Sequence, residues 1–300
     1  MILAIGEILF DVFPDYRRIG GAPFNFAYHL MRLGFPVRFI SRIGRDSDGE
    51  SILDMLQSAG FDTQDIQIDD QRPTGTVKVE VDENGQPGFT ILTDVAYEYI
   101  AVDDAVRSAI HADPKLIYFG NLIQRSRTGF SALQSLLNHR RPETVCFCDM
   151  NLRPDCYTRD TVIHCLEKSD LLKLSEEELD ITRRLTGRTE SGEGFIRWLM
   201  ETYTITTLAV TRGAGGSELY RDGMRVAAPA SPAKEIVDTV GAGDAYAAML
   251  AAGHLRGWPA ETIISCCARF ARRICEIPGA IPTTDSLYEE FREIGSEGDW

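Results

Sequence analysis

The chain has 300 residues, of which 44% are hydrophobic and 25% charged, with a formal net charge of −14. That balance suits a globular α/β chain with a sizeable core, and an acidic surface excludes unspecific binding to nucleic acid or to an anionic membrane, because counterion release needs a basic one. No apolar run reaches the ~18 residues of a membrane-spanning helix. The seven cysteines form no C-x-x-C pair and the opening segment carries no basic leader, so a cytoplasmic protein with reduced thiols is expected.

In chain order, short apolar runs at 2–6, 37–40, 115–119, 144–148, 170–174 and 206–210 read as buried strands. Amphipathic stretches at 22–33, 47–59, 127–139, 175–185 and 192–203 read as helices between them, and two further helical patterns occupy 242–256 and 260–276. Buried strands alternating with helices predict a mainly parallel sheet covered on both faces, with ligands at the carboxyl ends of the strands. The stretch from Thr74 to Thr93 breaks this rhythm, since Val77, Val79 and Val81 alternate with Lys78, Glu80 and Asp82 before a turn at Asn84–Gly85. Such a hairpin has one apolar face, which serves either as a lid or as plain packing on the main body. The acid-rich tail from Asp285 reads as a solvated helix that frays.

Residues 238–244 read Asp-Thr-Val-Gly-Ala-Gly-Asp and run directly into a helical pattern. Gly241, Ala242 and Gly243 let backbone N–H groups approach an anion at a helix start, and Asp244 sits where it could take a hydroxyl proton. The alternative is an acid that complements the helix dipole after a simple glycine turn. Near the N-terminus, Gly20 and Gly21 open a helix carrying Asn25, and Asp11 ends the first strand region. Together these offer the donors and acceptors that a polyhydroxylated ligand needs, although turn and strand-end roles explain each residue singly.

Asp149, Asn151 and Arg153 alternate after a strand, so with period two they point to one side, where Arg153 would meet a phosphate or carboxylate; an Asp149–Arg153 ion pair is the competing reading. Lys173 precedes Ser175, which with Glu178 forms a capping box that needs no catalytic role, although Glu178 could also organise Mg²⁺ through water. Thr211, Gly213 and Gly216 form a glycine-rich turn without the lysine of a P-loop. No G-x-G-x-x-G follows the first strand, which counts against a dinucleotide-dependent oxidoreductase.

In this order, the segments from Gly20 to Asn25, Arg38 to Gly49, Asp149 to Arg153, Lys173 to Glu178, Thr211 to Gly216, Asp238 to Asp244 and Pro278 to Pro282 resemble the signatures of the ribokinase-like (PfkB) sugar kinases, and within them the fructokinase-like branch. The resemblance spans nearly the entire chain. It implies one kinase domain over 1–300 with a three-layer α/β/α fold, a mainly parallel central sheet, and a small β lid formed mainly by 74–93 with part of 11–19. It implies transfer of the γ-phosphate of ATP to a hydroxyl of a small sugar, foremost fructose. A 2-keto-3-deoxygluconate kinase and a non-catalytic sugar- or nucleotide-binding regulator are the alternatives.

By the same resemblance Asp244 is the base, with Gly241, Ala242 and Gly243 as the anion hole. Asp11, Gly20, Gly21, Asn25 and Arg153 face the sugar, and Arg153 could instead meet the transferred phosphate. Lys173, Thr211, Gly213, Gly216 and Gly243 lie on the nucleotide side, with Glu178 towards Mg²⁺. Asp238, Val240 and Gly279 fall at a loop that in many relatives takes a monovalent cation such as K⁺, and a homodimer through the lid is a further expectation. Ser175 departs from the asparagine of many relatives, and 266–273 lacks an asparagine that some direct at adenine, which leaves the adenine pocket unassigned.

Overall fold

The computed structural model describes residues 1–81, 87–231 and 235–294. The elements are β1 (Ile2–Ile5), β2 (Leu9–Val12), β3 (Arg17–Gly20), α1 (Ala22–Arg32), β4 (Val37–Gly44), α2 (Ser47–Ala59), β5 (Ile66–Asp69), β6 (Gly75–Val81) and β7 (Pro87–Ile91). Then follow α3 (Asp104–His111), β8 (Leu116–Gly120), α4 (Arg127–Asn138), β9 (Val145–Asp149), α5 (Arg159–Lys168), β10 (Leu171–Ser175), α6 (Glu176–Leu185) and α7 (Gly192–Tyr203). The chain continues with β11 (Thr207–Thr211), β12 (Ser217–Arg221), β13 (Met224–Ala228), α8 (Ala242–Leu255), α9 (Ala260–Cys275) and α10 (Ser286–Arg292).

A nine-stranded sheet runs in the order β13-β12-β11-β10-β9-β8-β1-β4-β5. All its neighbours are parallel except β11–β12 and β12–β13. Strands buried on both faces must be apolar at successive positions, and β1 shows why the six runs read so easily. Ile2 and Ala4 enter the core shared with α1, α8 and α9, while Leu3 and Ile5 enter the opposite core with α3, α4, α5 and α7. Two helical layers around one sheet are the expected ribokinase-like three-layer arrangement. The antiparallel β12–β13 edge is an addition, turned by Asp222 (φ 53°) and Gly223 (φ 74°).

The second sheet has four strands in the order β3-β2-β6-β7. Its hairpin pairs Val77 with Ile91 and Lys78 with Thr90, as the alternation anticipated; the turn expected at Asn84–Gly85 lies outside the described residues. The lid is broader than expected, because β2 starts at Leu9 and pairs in parallel with β6. Leu9 and Val77 bury against Val95, Tyr97, Leu122 and Cys156, so the hairpin packs on the body and forms a lid at once. Two ties fix its base. Asp46 accepts from Thr74 N and Thr74 Oγ1 at 2.8 and 2.7 Å, and Arg125 Nη2 donates to Leu92 O at 2.7 Å.

The C-terminal helix expected after Asp285 is α10, with Tyr288 and Phe291 fully buried, so its inner face belongs to the core and is not solvated; residues 295–300 of the expected frayed end lie outside the described residues. All seven cysteines are free thiols, and six are buried. Among the described residues no helix is long and apolar enough to cross a membrane.

Candidate active site

The carboxyl ends of β1, β9 and β10 lie near the start of α8, close enough for Glu7, Asp149 and Lys173 to act electrostatically with Asp244. Gly241, the N-cap of α8, has φ 79°, and a Cβ there would run into Ala280, so the turn requires glycine. Ala245 N donates to Gly241 O at 2.8 Å and Ala242 N turns back to Thr239 O at 3.3 Å. The N–H groups of Gly241, Gly243 and Asp244 have no acceptor among the described residues. Of the three expected anion-hole residues, Ala242 therefore has its donor partly engaged, and Asp244 adds a donor of its own. Open first-turn donors and the positive end of the helix suit an oxyanion or phosphate.

Asp244 stands half-buried in this first turn. Asn25 Nδ2 donates to Asp244 Oδ2 at 2.7 Å, which fixes the carboxylate, while Asn25 Oδ1 is buried without a partner among the described residues. Burial raises the Asp244 carboxyl above its ordinary range, against the lowering pull of Asn25, Lys173 and Arg153. A carboxylate with a raised proton affinity and an open acceptor beside it can receive and orient a hydroxyl.

Asp11 on β2 lies close enough for Asp244 to act on its charge; burial, opposed by Arg153, pushes it up to about 6. Gly20 leaves room for the Asp11 carboxylate, since a Cβ there would come 2.5 Å from Oδ2. Gly21 caps α1 at φ 112° and lies 2.6 Å, by the same measure, from Glu7 O. Glu7 escaped the sequence reading. It is 4% exposed, and burial pushes its carboxyl up to about 7 between Asp244 and Arg153. Its signal was an acid placed directly after a buried strand.

The period-two reading of residues 149–153 fails because β9 ends at Asp149 and Asn151 takes φ 40°, which turns the chain. The Asp149–Arg153 pair is likewise not formed. Asp149 accepts instead from Lys173 Nζ at 2.8 and 3.0 Å, the two residues facing each other on adjacent parallel strands. The Asp149 and Lys173 residues are only 1% and 6% exposed. Burial pushes Asp149 up to about 6 against the pull of Lys173, whereas Asp149 and Glu178 outweigh burial at Lys173 and raise it. The Lys173 ammonium also lies 3.6 Å from where a Gly243 Cβ would be, beside the open donors. Arg153 is exposed; its carbonyl accepts from Cys156 N at 3.0 Å, while its guanidinium has no hydrogen bond or ion pair among the described residues and acts electrostatically on Glu7, Asp11 and Asp244.

Glu178 completes the capping box: its N–H donates to Ser175 Oγ at 3.1 Å and its Oε2 accepts from Ser175 N at 2.7 Å. Its Oε1 accepts from Leu152 N at 2.7 Å, which ties the loop after β9 to α6. No group of three acidic, His or Cys residues converges to grip a metal among the described residues. A carboxylate held this way keeps lone pairs for metal-bound water, which fits Mg²⁺ carried by a nucleotide and not by a protein cage.

Thr211 ends β11, and Gly213 (φ 50°) is exposed with open space around it. Gly216 is different: buried against the Ala228 backbone of β13, it shapes the loop. Asp238, Val240 and Gly279 do come together, but through N–H donation to the carboxylate: Val240 N to Oδ1 at 3.0 Å and Gly279 N to Oδ2 at 3.1 Å.

The pfkB family carbohydrate kinase description matches residues 15–287. The chain is 31% identical over 264 residues to a fructokinase of Klebsiella pneumoniae, covering 84% of this chain and 83% of the relative. It is 28% identical over 251 residues to a 5-dehydro-2-deoxygluconokinase of Geobacillus kaustophilus, covering 81% and 74%. Its fold is similar to that of a sugar kinase of Pyrococcus horikoshii solved in complex with ATP, with TM-score 0.79, 25% identity, and 93% and 94% of the two chains covered. The chain belongs to the pfkB family of carbohydrate kinases.

Proposed function

We propose that the protein transfers the γ-phosphate of ATP to the primary hydroxyl of fructose. Asp244 takes the hydroxyl proton as the sugar oxygen bonds to the γ-phosphorus and the bond to the ADP oxygen breaks. Asn25 Nδ2 holds the carboxylate in place during this step, and Asn25 Oδ1 and Asp11 receive the other sugar hydroxyls, while Gly20 leaves room for the Asp11 carboxylate and Gly21 for the close approach of the Glu7 backbone. The N–H groups of Gly241, Gly243 and Asp244 meet the charge that grows on the phosphoryl oxygens, with Lys173 behind them. Glu178 would help to hold, through water, a Mg²⁺ ion carried by the nucleotide, which would supply further neutralisation of the phosphoryl charge. Thr211 and Gly213 lie along the nucleotide, and Arg153 closes over the acceptor.

The observation that carries this reading is the fixed Asp244 carboxylate in the same helical turn as open backbone donors. The similarity to fructokinases and to an ATP-bound sugar kinase supports the choice of substrates. A panel of sugars with ATP, followed by ADP release, is the test: fructose is expected to lead, and no release with any sugar would leave a non-catalytic binding protein.

A second reading rests on Arg153. An exposed guanidinium without a partner suits the carboxylate of an acidic sugar such as 2-keto-3-deoxygluconate. Phosphorylation of the keto acid and not of fructose would select it. The reading places the enzyme in the cytoplasm, in keeping with its free thiols, and pairs two copies through the lid, where Tyr16 is 46% exposed. Light scattering at micromolar concentration is expected to report a dimer.

A further inference from the structure

Asp238 begins the loop that delivers the open donors of α8, and both its oxygens are met from within the chain. Beside Val240 N and Gly279 N, the third donor is Arg18 Nη1, 2.9 Å from Oδ2. Arg18 comes from β3 of the lid, 220 positions away in sequence. Its guanidinium lies 4.6 Å from the Tyr16 ring and 5.8 Å from the Phe13 ring, and those two rings stack at 4.4 Å. Gly279 leaves space for it, since a Cβ there would come 3.0 Å from Nη1 and 3.3 Å from Cδ. The next residue, Ala280, packs against Gly241. Lid strand, guanidinium, loop and N-cap of α8 thus form one chain of contacts.

A monovalent cation at Asp238, Val240 and Gly279 needs oxygen ligands. Here the backbone of both partners offers N–H groups to the carboxylate, and a fixed guanidinium already neutralises it. Burial works to raise the Asp238 carboxyl, yet hydrogen bonds from Val240, Arg18 and Gly279 together hold it below its ordinary range. Arg suits this role because it stays charged and stacks on aromatic rings while it donates.

We infer that Arg18 is a positioning residue: from the lid it supplies the positive charge that orders the 238–244 loop, so that the open donors of α8 are set without a bound monovalent cation. Ordering of those donors is thereby coupled to the seating of the lid. The catalytic consequence rests on the kinase reading; the physical link does not.

The test compares wild type, Arg18→Ala and Arg18→Lys in potassium, sodium and choline chloride at matched ionic strength. Rates, melting temperatures and amide exchange over 9–20 and 238–245 are read. Wild-type rates are expected to agree within about twofold across the salts, with no melting shift specific to K⁺. Arg18→Ala is expected to lose about tenfold in kcat with KM for ATP nearly unchanged, and to exchange faster in both segments with a lower melting temperature in every salt. Arg18→Lys is expected to recover most of the kcat. A wild type that runs at under about a tenth of its K⁺ rate in choline, or that gains K⁺-specific thermal stability, would overturn the inference. So would an Arg18→Ala protein that matches wild type in exchange and in melting behaviour across the salts. If wild type phosphorylates no sugar, the kinase reading fails, and the melting and exchange results still decide on Arg18.

Discussion

Glu7 offers a quantitative test of the electrostatics beneath the site. The side chain is 4% exposed, and burial beside Asp244 raises its carboxyl from 4.5 to about 7. A group whose folded pKa lies above its unfolded value contributes stability in its neutral form; that contribution is complete below pH 4.5 and is lost as the pH rises through about 7. At 1.36 kcal/mol per tenfold change, ionising Glu7 in the folded state costs about 3 kcal/mol at pH 8. Glu7→Gln keeps the shape and removes the charge. Because the new amide must also be hydrogen-bonded, the expected gain at pH 8 is about 1–3 kcal/mol, with almost none at about pH 5, where Glu7 is already protonated. Urea denaturation of both proteins at the two pH values measures the difference. An equal effect at both would show that Glu7 does not titrate in this window, and the assigned burial effect would be wrong.

Further outcomes follow from the same geometry. Lys173→Met leaves Asp149 buried and unpaired, so a loss of about 3–5 kcal/mol is expected in urea denaturation, and Lys173→Met with Asp149→Leu should recover much of it without restoring turnover. Gly241→Ala, which meets Ala280 at φ 79°, is expected to lose at least about 1 kcal/mol of stability and most of its turnover, by calorimetry and ADP release. Because burial raises the Asp244 carboxyl, the acid limb of the kcat/KM profile should lie above the range of an ordinary aspartate, with activity falling as the pH drops and Asp244 takes up its proton. A limb at or below that range would remove the burial effect.

The parallel strands were legible because burial on both faces forces unbroken apolar runs, as at 2–5 and 116–119. The α8 start was legible for a related reason: a φ of 79° at Gly241 and open donors beyond it leave small residues and an acid in the sequence. What failed was inference across a boundary. Asp149, Asn151 and Arg153 alternate only while the strand lasts, and the strand ends at Asp149. The Lys173–Asp149 pair depends on β9 and β10 being neighbours, and Arg18–Asp238 joins positions that no local pattern relates. The β12–β13 hairpin was readable from Asp222–Gly223, a two-residue turn signal. The α5 segment hid because Thr161, Val162 and Ile163 form a β-branched run that favours a strand by propensity.

Asp244→Asn tests the central claim most directly. The amide keeps the hydrogen-bonding shape beside Asn25 but cannot take a proton, so kcat for the preferred sugar should fall by about 10²–10⁴-fold, while ATP binding by calorimetry and the melting temperature stay near wild type. Turnover above about a tenth of the wild-type rate in that variant would contradict the assignment of Asp244 as the base.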